Sequence, residues 1–264
     1  VGLLDVDLCG PSAPRMVLGD KHASATIHKT GSGLWTPVYA GNLAVMSISF
    51  LLPDRDQAVI WRGPRKNAMI KQFVSQVDWT GDTEGLDYLI VDTPPGTSDE
   101  HISTIQFLHQ AKQTAGAIVV TTPEEASLAD VRKELNFCQK TNLPVLGVIE
   151  NMGSLETSLD KLRFSNGKLD VTDAVYSVLR KELPEIFDYK ITSPVFAGEG
   201  AETMARTYNC PFWGRLPLDP KLLEATDQGQ SFVEKHPTAT AAVALTNFCE
   251  KLVAACPVAA MMEA

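Results

Sequence analysis

Asp87-Tyr88-Leu89-Ile90-Val91-Asp92-Thr93-Pro94-Pro95-Gly96-Thr97 is the stretch that decides the fold. A short, β-favouring apolar run ends in a carboxylate, and a stiff, glycine-bearing turn follows. Continuous rather than alternating apolarity is the pattern of a strand buried on both faces of a parallel sheet. In an open α/β sheet, ligands gather at the carboxyl ends of the strands. Asp92 is therefore placed to hold Mg²⁺ through its waters, because a hard divalent cation favours carboxylate oxygen and bridges phosphate oxygens. The competing reading is an aspartate that only caps the next helix. Two prolines stiffen the turn, and Gly96 offers a backbone N–H with no side chain in the way. A loop that senses a terminal phosphate needs both properties.

Working outward, residues 1–6, 117–121 and 145–149 are similar apolar runs, and 43–49 is a further strand candidate. Helical spacing of apolar residues marks 67–77, 99–111 and 128–141, the last with Ser127 as its expected N-cap. Strands alternating with helices predict an α/β fold, a mostly parallel twisted sheet with right-handed crossovers placing helices on both faces. Asp5 and Asp7 close the first run as Asp92 closes its own. Asp7 leads Leu8-Cys9-Gly10-Pro11-Ser12. A carboxylate there can position an attacking water for phosphoryl transfer, or simply hold a turn ahead of Gly-Pro.

The 264 residues carry 23 Lys+Arg against 32 Asp+Glu, a net charge of −9. That balance argues against nucleic acid bound through a broad basic surface. No apolar run approaches the ~18 residues of a membrane span. Five widely spaced cysteines form no disulfide framework and point to a reducing compartment. The five histidines give no metal pattern. No G-x-x-x-x-G-K-[ST] loop occurs; Gly31-Ser32-Gly33 reads as a turn, and Gly167-Lys168 lacks the rest of the motif. The sequence opens at Val1 inside an apolar run, so the phosphate-gripping loop is expected upstream of it. Residues 153–192, polar and then amphipathic, read as an inserted excursion with one helix ending before Pro184. Residues 239–255 form an Ala-rich helical pattern that should pack on the sheet, with the last residues frayed.

The strings at 1–12, 61–73 (Trp-Arg-Gly-Pro-Arg-Lys-Asn-Ala-Met-Ile-Lys-Gln-Phe), 87–103 and 214–220 (Gly-Arg-Leu-Pro-Leu-Asp-Pro) resemble the Mrp-type nucleotide-binding proteins. These form part of the MinD/ParA-like branch of P-loop ATPases, and the likeness is to the cytosolic iron–sulfur assembly scaffolds within it. It covers residues 1–152 and 197–229. The resemblance implies a MinD-like P-loop NTPase whose first strand, P-loop and first helix are absent here. Residues 1–264 would then be a single nucleotide-binding domain with an insertion at about 153–192. It implies a cytoplasmic, dimeric, slow ATPase that uses ATP and Mg²⁺, binds a transient [4Fe-4S] cluster and passes it to apo-proteins, without nucleic acid or membrane. Carried over by position, Asp7 is the switch I aspartate that orients water, Asp92 the Walker B aspartate and Gly96 the switch II glycine. Asn151 reads the adenine edge, since an amide both donates and accepts. Pro217 and Asp219 flank the base, and Asp5 joins the nucleotide-binding group. Arg62 and Lys66 would contact phosphate or the dimer partner.

Two features depart from that pattern. The lysine-bearing Walker A loop is absent, and residues 153–192 contain no Cys-x-x-Cys to supply cluster thiolates. Cys210 lies elsewhere and reads first as a small buried apolar residue, as does Cys138. Cys9 belongs to the motif at 1–12, and Cys249 with Cys256 makes a poor metal pair. Two alternatives stay open: a partner subunit that binds no cluster itself and pairs with a cysteine-bearing paralogue, or a MinD/ParA-like positioning ATPase. The acidic charge and the lack of a basic amphipathic tail speak against the latter at a membrane.

Overall fold

The computed structural model describes residues 1–52, 63–80, 85–110, 114–196 and 200–258. The first half runs β1 (Gly2–Asp5), α1 (Ala13–Leu18), β2 (Val38–Ala40), β3 (Leu43–Ser47), α2 (Gly63–Ser75), β4 (Leu89–Asp92) and α3 (Asp99–Gln110). The second runs β5 (Ala117–Thr121), α4 (Glu125–Lys140), β6 (Val145–Ser158), α5 (Thr172–Glu182), β7 (Lys190–Pro194), α6 (Gly200–Thr207) and β8 (Phe212–Leu218). Three helices follow: α7 (Pro220–Asp227), α8 (Phe232–Lys235) and α9 (Thr240–Ala255).

The strands form two four-stranded sheets. One has the order β2-β3-β1-β4; in the other, β6 pairs with β5, β7 and β8. The pairs β1–β3, β1–β4, β5–β6 and β6–β8 are parallel, as the apolar runs predict. β1 lies between β3 and β4, and Leu4, Val6, Val45, Met46, Ile70 and Phe73 belong to the first core. A second core joins Val119 and Val148 to α4 and α6, and a third seats Trp213 and Phe248 under the C-terminal helices. α9 packs on β8, as its Ala-rich pattern predicts.

The differences from the sequence reading have physical causes. Among the described residues β4 and β5 each pair along one edge only, and one face of each is also left open: Ile90, Ile118 and Val120 are exposed, Val120 by 54%. The strand candidate at 43–49 stops at Ser47, whose hydroxyl accepts the Ser49 N–H and starts a short 3₁₀ turn. α4 begins at Glu125, so Ser127 lies within its first turn and is not the N-cap; its hydroxyl donates to Glu124 Oε1. β6 continues past Ile149 because Ser154–Ser158 finds an antiparallel partner in β7. That ribbon and α5, which ends before Pro184, build the excursion. Residues 31–33 are a turn, with Gly33 at φ 86°. Arg62 and the frayed end expected after residue 258 lie outside the described residues. No helix among them is long and apolar enough to cross a membrane.

Candidate functional site

The register of β1 against β4 sets Asp5 directly beside Asp92. Asp5 is fully buried and accepts hydrogen bonds from the Asp7 N–H at 3.0 Å and the Ser47 hydroxyl at 3.2 Å. Burial, then the Asp92 charge, pushes its carboxyl up to about 7. Asp7 turns out of the strand and accepts the Cys9 and Gly10 amides at 3.2 and 2.9 Å. Asp92 is exposed at the strand end; desolvation by the protein around it, then the Asp7 charge, raises its carboxyl. Two carboxyls held up by burial and by neighbouring negative charge, with Asp7 beside them, suit a divalent cation, whose charge would relieve them. Among the described residues no group of three or more His, Cys, Asp or Glu could hold a metal ion by itself. An ion here would draw its remaining oxygens from water and a bound phosphate.

The strained Asp5 gives a pH signature. In the native state it keeps a proton that the unfolded chain loses, from the ordinary value of 3.8 up to about 7. Asp5 therefore opposes folding more and more as pH rises through that window. Asp5→Asn should exceed the wild type by about 2 kcal/mol at pH 8 and by less than about 1 kcal/mol at pH 4. Urea midpoints of both proteins without magnesium check this; a constant difference across pH would refute it.

Beyond Asp92 the chain turns at Gly96, which adopts φ 77°, a backbone conformation that excludes most side chains. Its N–H donates to Glu134 Oε1 of α4 at 3.0 Å. His101, at the start of α3, is buried, and that burial lowers its affinity for a proton. Its Nδ1 accepts the Ser98 N–H at 3.2 Å, and Phe137 packs edge-on against the ring. Lys66 reaches Glu100 Oε1 at 2.6 Å, an ion pair mostly shielded from solvent.

On the other sheet, β6 sets Asn151 opposite Leu216 of β8, so Pro217 follows beside it. Asn151 Oδ1 accepts the Met152 N–H at 2.9 Å, and Met152 takes φ 58° where the parallel register with β8 shifts. Asp219 caps α7, accepting the Lys221 N–H at 2.9 Å, with Pro220 in the first turn. The structure thus gathers Asp5, Asp7 and Asp92 into one group, and Asn151 with Pro217 into another. Both lie at carboxyl ends of parallel strands.

Sequence reasoning missed a charged group beneath Asn151. Glu150 is only 2% exposed; its Oε1 accepts Arg215 Nε at 3.0 Å, and its Oε2 has no hydrogen bond. Arg215 also donates to Glu202 Oε2 at 2.9 Å and lies over the Phe212 ring. A glutamate closing the apolar run 145–149, as Asp92 closes its own, was the available signal.

Cys138 and Cys210 lie near enough to interact, but among the described residues no group of three or more metal-ligating side chains includes them. Cys9 and Cys249 are exposed, while Cys138 and Cys256 are buried. Burial pushes the Cys138 thiol up to about 11 and raises Cys210, whose Sγ faces the Tyr208 carbonyl. Protonated thiols are poor metal ligands.

The chain matches the ParA family, described as NUBPL iron-transfer P-loop NTPase, over residues 1–168 and 186–253. The unmatched stretch between these holds α5. It is 45% identical to the cytosolic Fe-S cluster assembly factor NUBP1 homolog of Caenorhabditis elegans over 253 residues, 96% of this chain and 70% of that protein. It is 43% identical to the cytosolic Fe-S cluster assembly factor NUBP2 of Rattus norvegicus over 256 residues, 96% of this chain and 80% of that one. Among solved structures it resembles the nucleotide-binding protein of Archaeoglobus fulgidus in complex with ADP, at 28% identity and TM-score 0.58 over 88% of this chain and 74% of that one. A ParA family ATPase from Chlorobium tepidum shares the fold at 13% identity and TM-score 0.51, over 95% and 84% of the two chains. Strand-end carboxylates, a glycine turn and these likenesses agree: the chain belongs to the ParA family of NUBPL-type iron-transfer P-loop NTPases.

Proposed function

We propose that this protein is an ATP-dependent factor of cytosolic iron–sulfur cluster assembly. The observation that carries the reading is the pairing of Asp5 with Asp92 beside Asp7, at the strand ends where the Gly96 turn begins. In this reading Asp92 holds Mg²⁺ through water, Asp7 orients the attacking water and Gly96 senses the terminal phosphate. Asp5, sealed below, sets the charge of the group. Asn151 reads the base, with Pro217 and Asp219 at its edge. The magnesium ion supplies charge neutralisation on the phosphates when bound. A glycine–lysine loop would complete the phosphate grip, and the edges of β4 and β5 that no described strand pairs would leave room for the strand that carries it. The names of the NUBP1 and NUBP2 relatives support the cluster-assembly role and the cytosolic setting. The full-length protein should bind Mg-ADP, and Asn151→Ala should weaken that binding about tenfold by removing a paired polar contact. Calorimetry with unchanged affinity in the variant would overturn the base-reading role.

The thiols favour a second reading within the same process. Neither the buried Cys138 nor the shielded Cys210 suits a [4Fe-4S] cluster, and residues 153–192 carry no cysteine. The residues described do not fit the cluster. In this reading a paralogous subunit of a heterodimer supplies the thiolates that pass a cluster to apo-proteins, and this chain supplies nucleotide chemistry. Reconstitution of the isolated protein with iron and sulfide should leave no visible-band cluster absorbance. A stoichiometric cluster would instead support the homodimeric carrier.

A further inference from the structure

We propose that Glu134 occupies, in the nucleotide-free molecule, the place at the Gly96 amide that a terminal phosphate oxygen takes, so that displacement of this carboxylate is how α4 registers the phosphate. The inference rests on the reading of Gly96 as the phosphate-sensing glycine. Glu134 stands in mid-α4, 38 residues from Gly96, and their 3.0 Å contact joins the turn after β4 to a helix of the other sheet. A Cβ on Gly96 would meet nothing within 4 Å, so the turn is open to an approaching group.

Glu134 is half-buried, and among the described residues no Lys or Arg is paired with it. Desolvation raises its carboxyl, and the nearby Asp130 charge adds to this. A partly desolvated carboxylate without a counter-ion is held poorly. Its recorded hydrogen bond is to the one backbone donor that the proposed phosphate requires. Two anions cannot share that N–H, and their repulsion at hydrogen-bond distance is strong where water is scarce. The carboxylate therefore gives way when the phosphate arrives.

α4 is built to carry the change. Phe137, one turn beyond Glu134, leans on His101, whose Nδ1 holds the Ser98 amide on the other side of the turn. Leu128, Val131 and Leu135 of the same helix pack in one core with Ala201, Met204 and Ala205 of α6. Glu134 and Phe137 thus tie the turn to a helix whose apolar residues belong to the second sheet. Release of Glu134 leaves only the Phe137 contact of the two. Glu134 acts through Gly96 and is a positioning residue.

The test compares wild type, Glu134→Ala and Glu134→Gln in the full-length protein, with Mg-ATPγS and Mg-ADP as probes. Glu134→Ala should tighten ATPγS about tenfold, as loss of a competing charged acceptor predicts, and leave ADP within about twofold. Glu134→Gln, which keeps an acceptor but not its charge, should fall between. Amide exchange at Gly96 should quicken in nucleotide-free Glu134→Ala. Equal ATPγS affinity in wild type and Glu134→Ala overturns the proposal while leaving the phosphate site intact. Equal gains for both nucleotides also overturn it, because that marks general loosening. If no form binds either nucleotide, the reading of Gly96 itself fails, and the proposal with it.

Discussion

Asp92→Asn should lower magnesium-dependent ATP hydrolysis by the full-length protein at least about a hundredfold, the scale of losing one group that organises transition-state charge. The same substitution should not harm the fold. Asp92 lies beside Asp5 in register and feels the Asp7 charge. Neutralising it removes a repulsion, so the Asp5 carboxyl should fall back from about 7 and urea resistance at pH 8 should rise. Falling activity with rising stability separates a metal-holding carboxylate from a helix-capping one. A capping aspartate would keep both its stability and its rate, because asparagine caps a helix about as well. Equal hydrolysis rates in the two proteins would refute the metal role.

Arg215→Met should cost about 3 kcal/mol of folding stability, because it leaves the Glu150 carboxylate buried and unpaired. Glu150 is almost fully enclosed, and one of its oxygens already lacks a partner. Arg215 supplies the bond to the other oxygen and braces Glu202 on α6 at the same time. The double variant Glu150→Met, Arg215→Met should recover most of the loss, since two apolar groups of similar size need no partner. Denaturant midpoints of the four proteins form the cycle. A double variant as unstable as Arg215→Met alone would mean that Arg215 acts through its packing on Phe212.

What could be read from the sequence was local. β4 and its Asp92, β1 and its Asp5, and the α3 helix starting at Asp99 follow from runs of a few residues and their turn chemistry. What could not be read is set by partners far along the chain. The length of β6 depends on β7, more than thirty residues later. The Arg215–Glu150 bond spans 65 residues and the Gly96–Glu134 bond 38, and no periodicity announces either. Lys66 illustrates the same limit from the other side. Its motif suggests an anion outside the chain, and folding adds one that the motif does not announce, Glu100 at 2.6 Å.

The outer edges of β4 and β5 also govern how these residues behave in a crowded solution. Rows of backbone donors and acceptors that no described strand satisfies, with Ile90, Ile118 and Val120 standing beside them, are templates on which other chains stack. A strand or partner that covers those ridges would therefore guard solubility as well as complete the sheet.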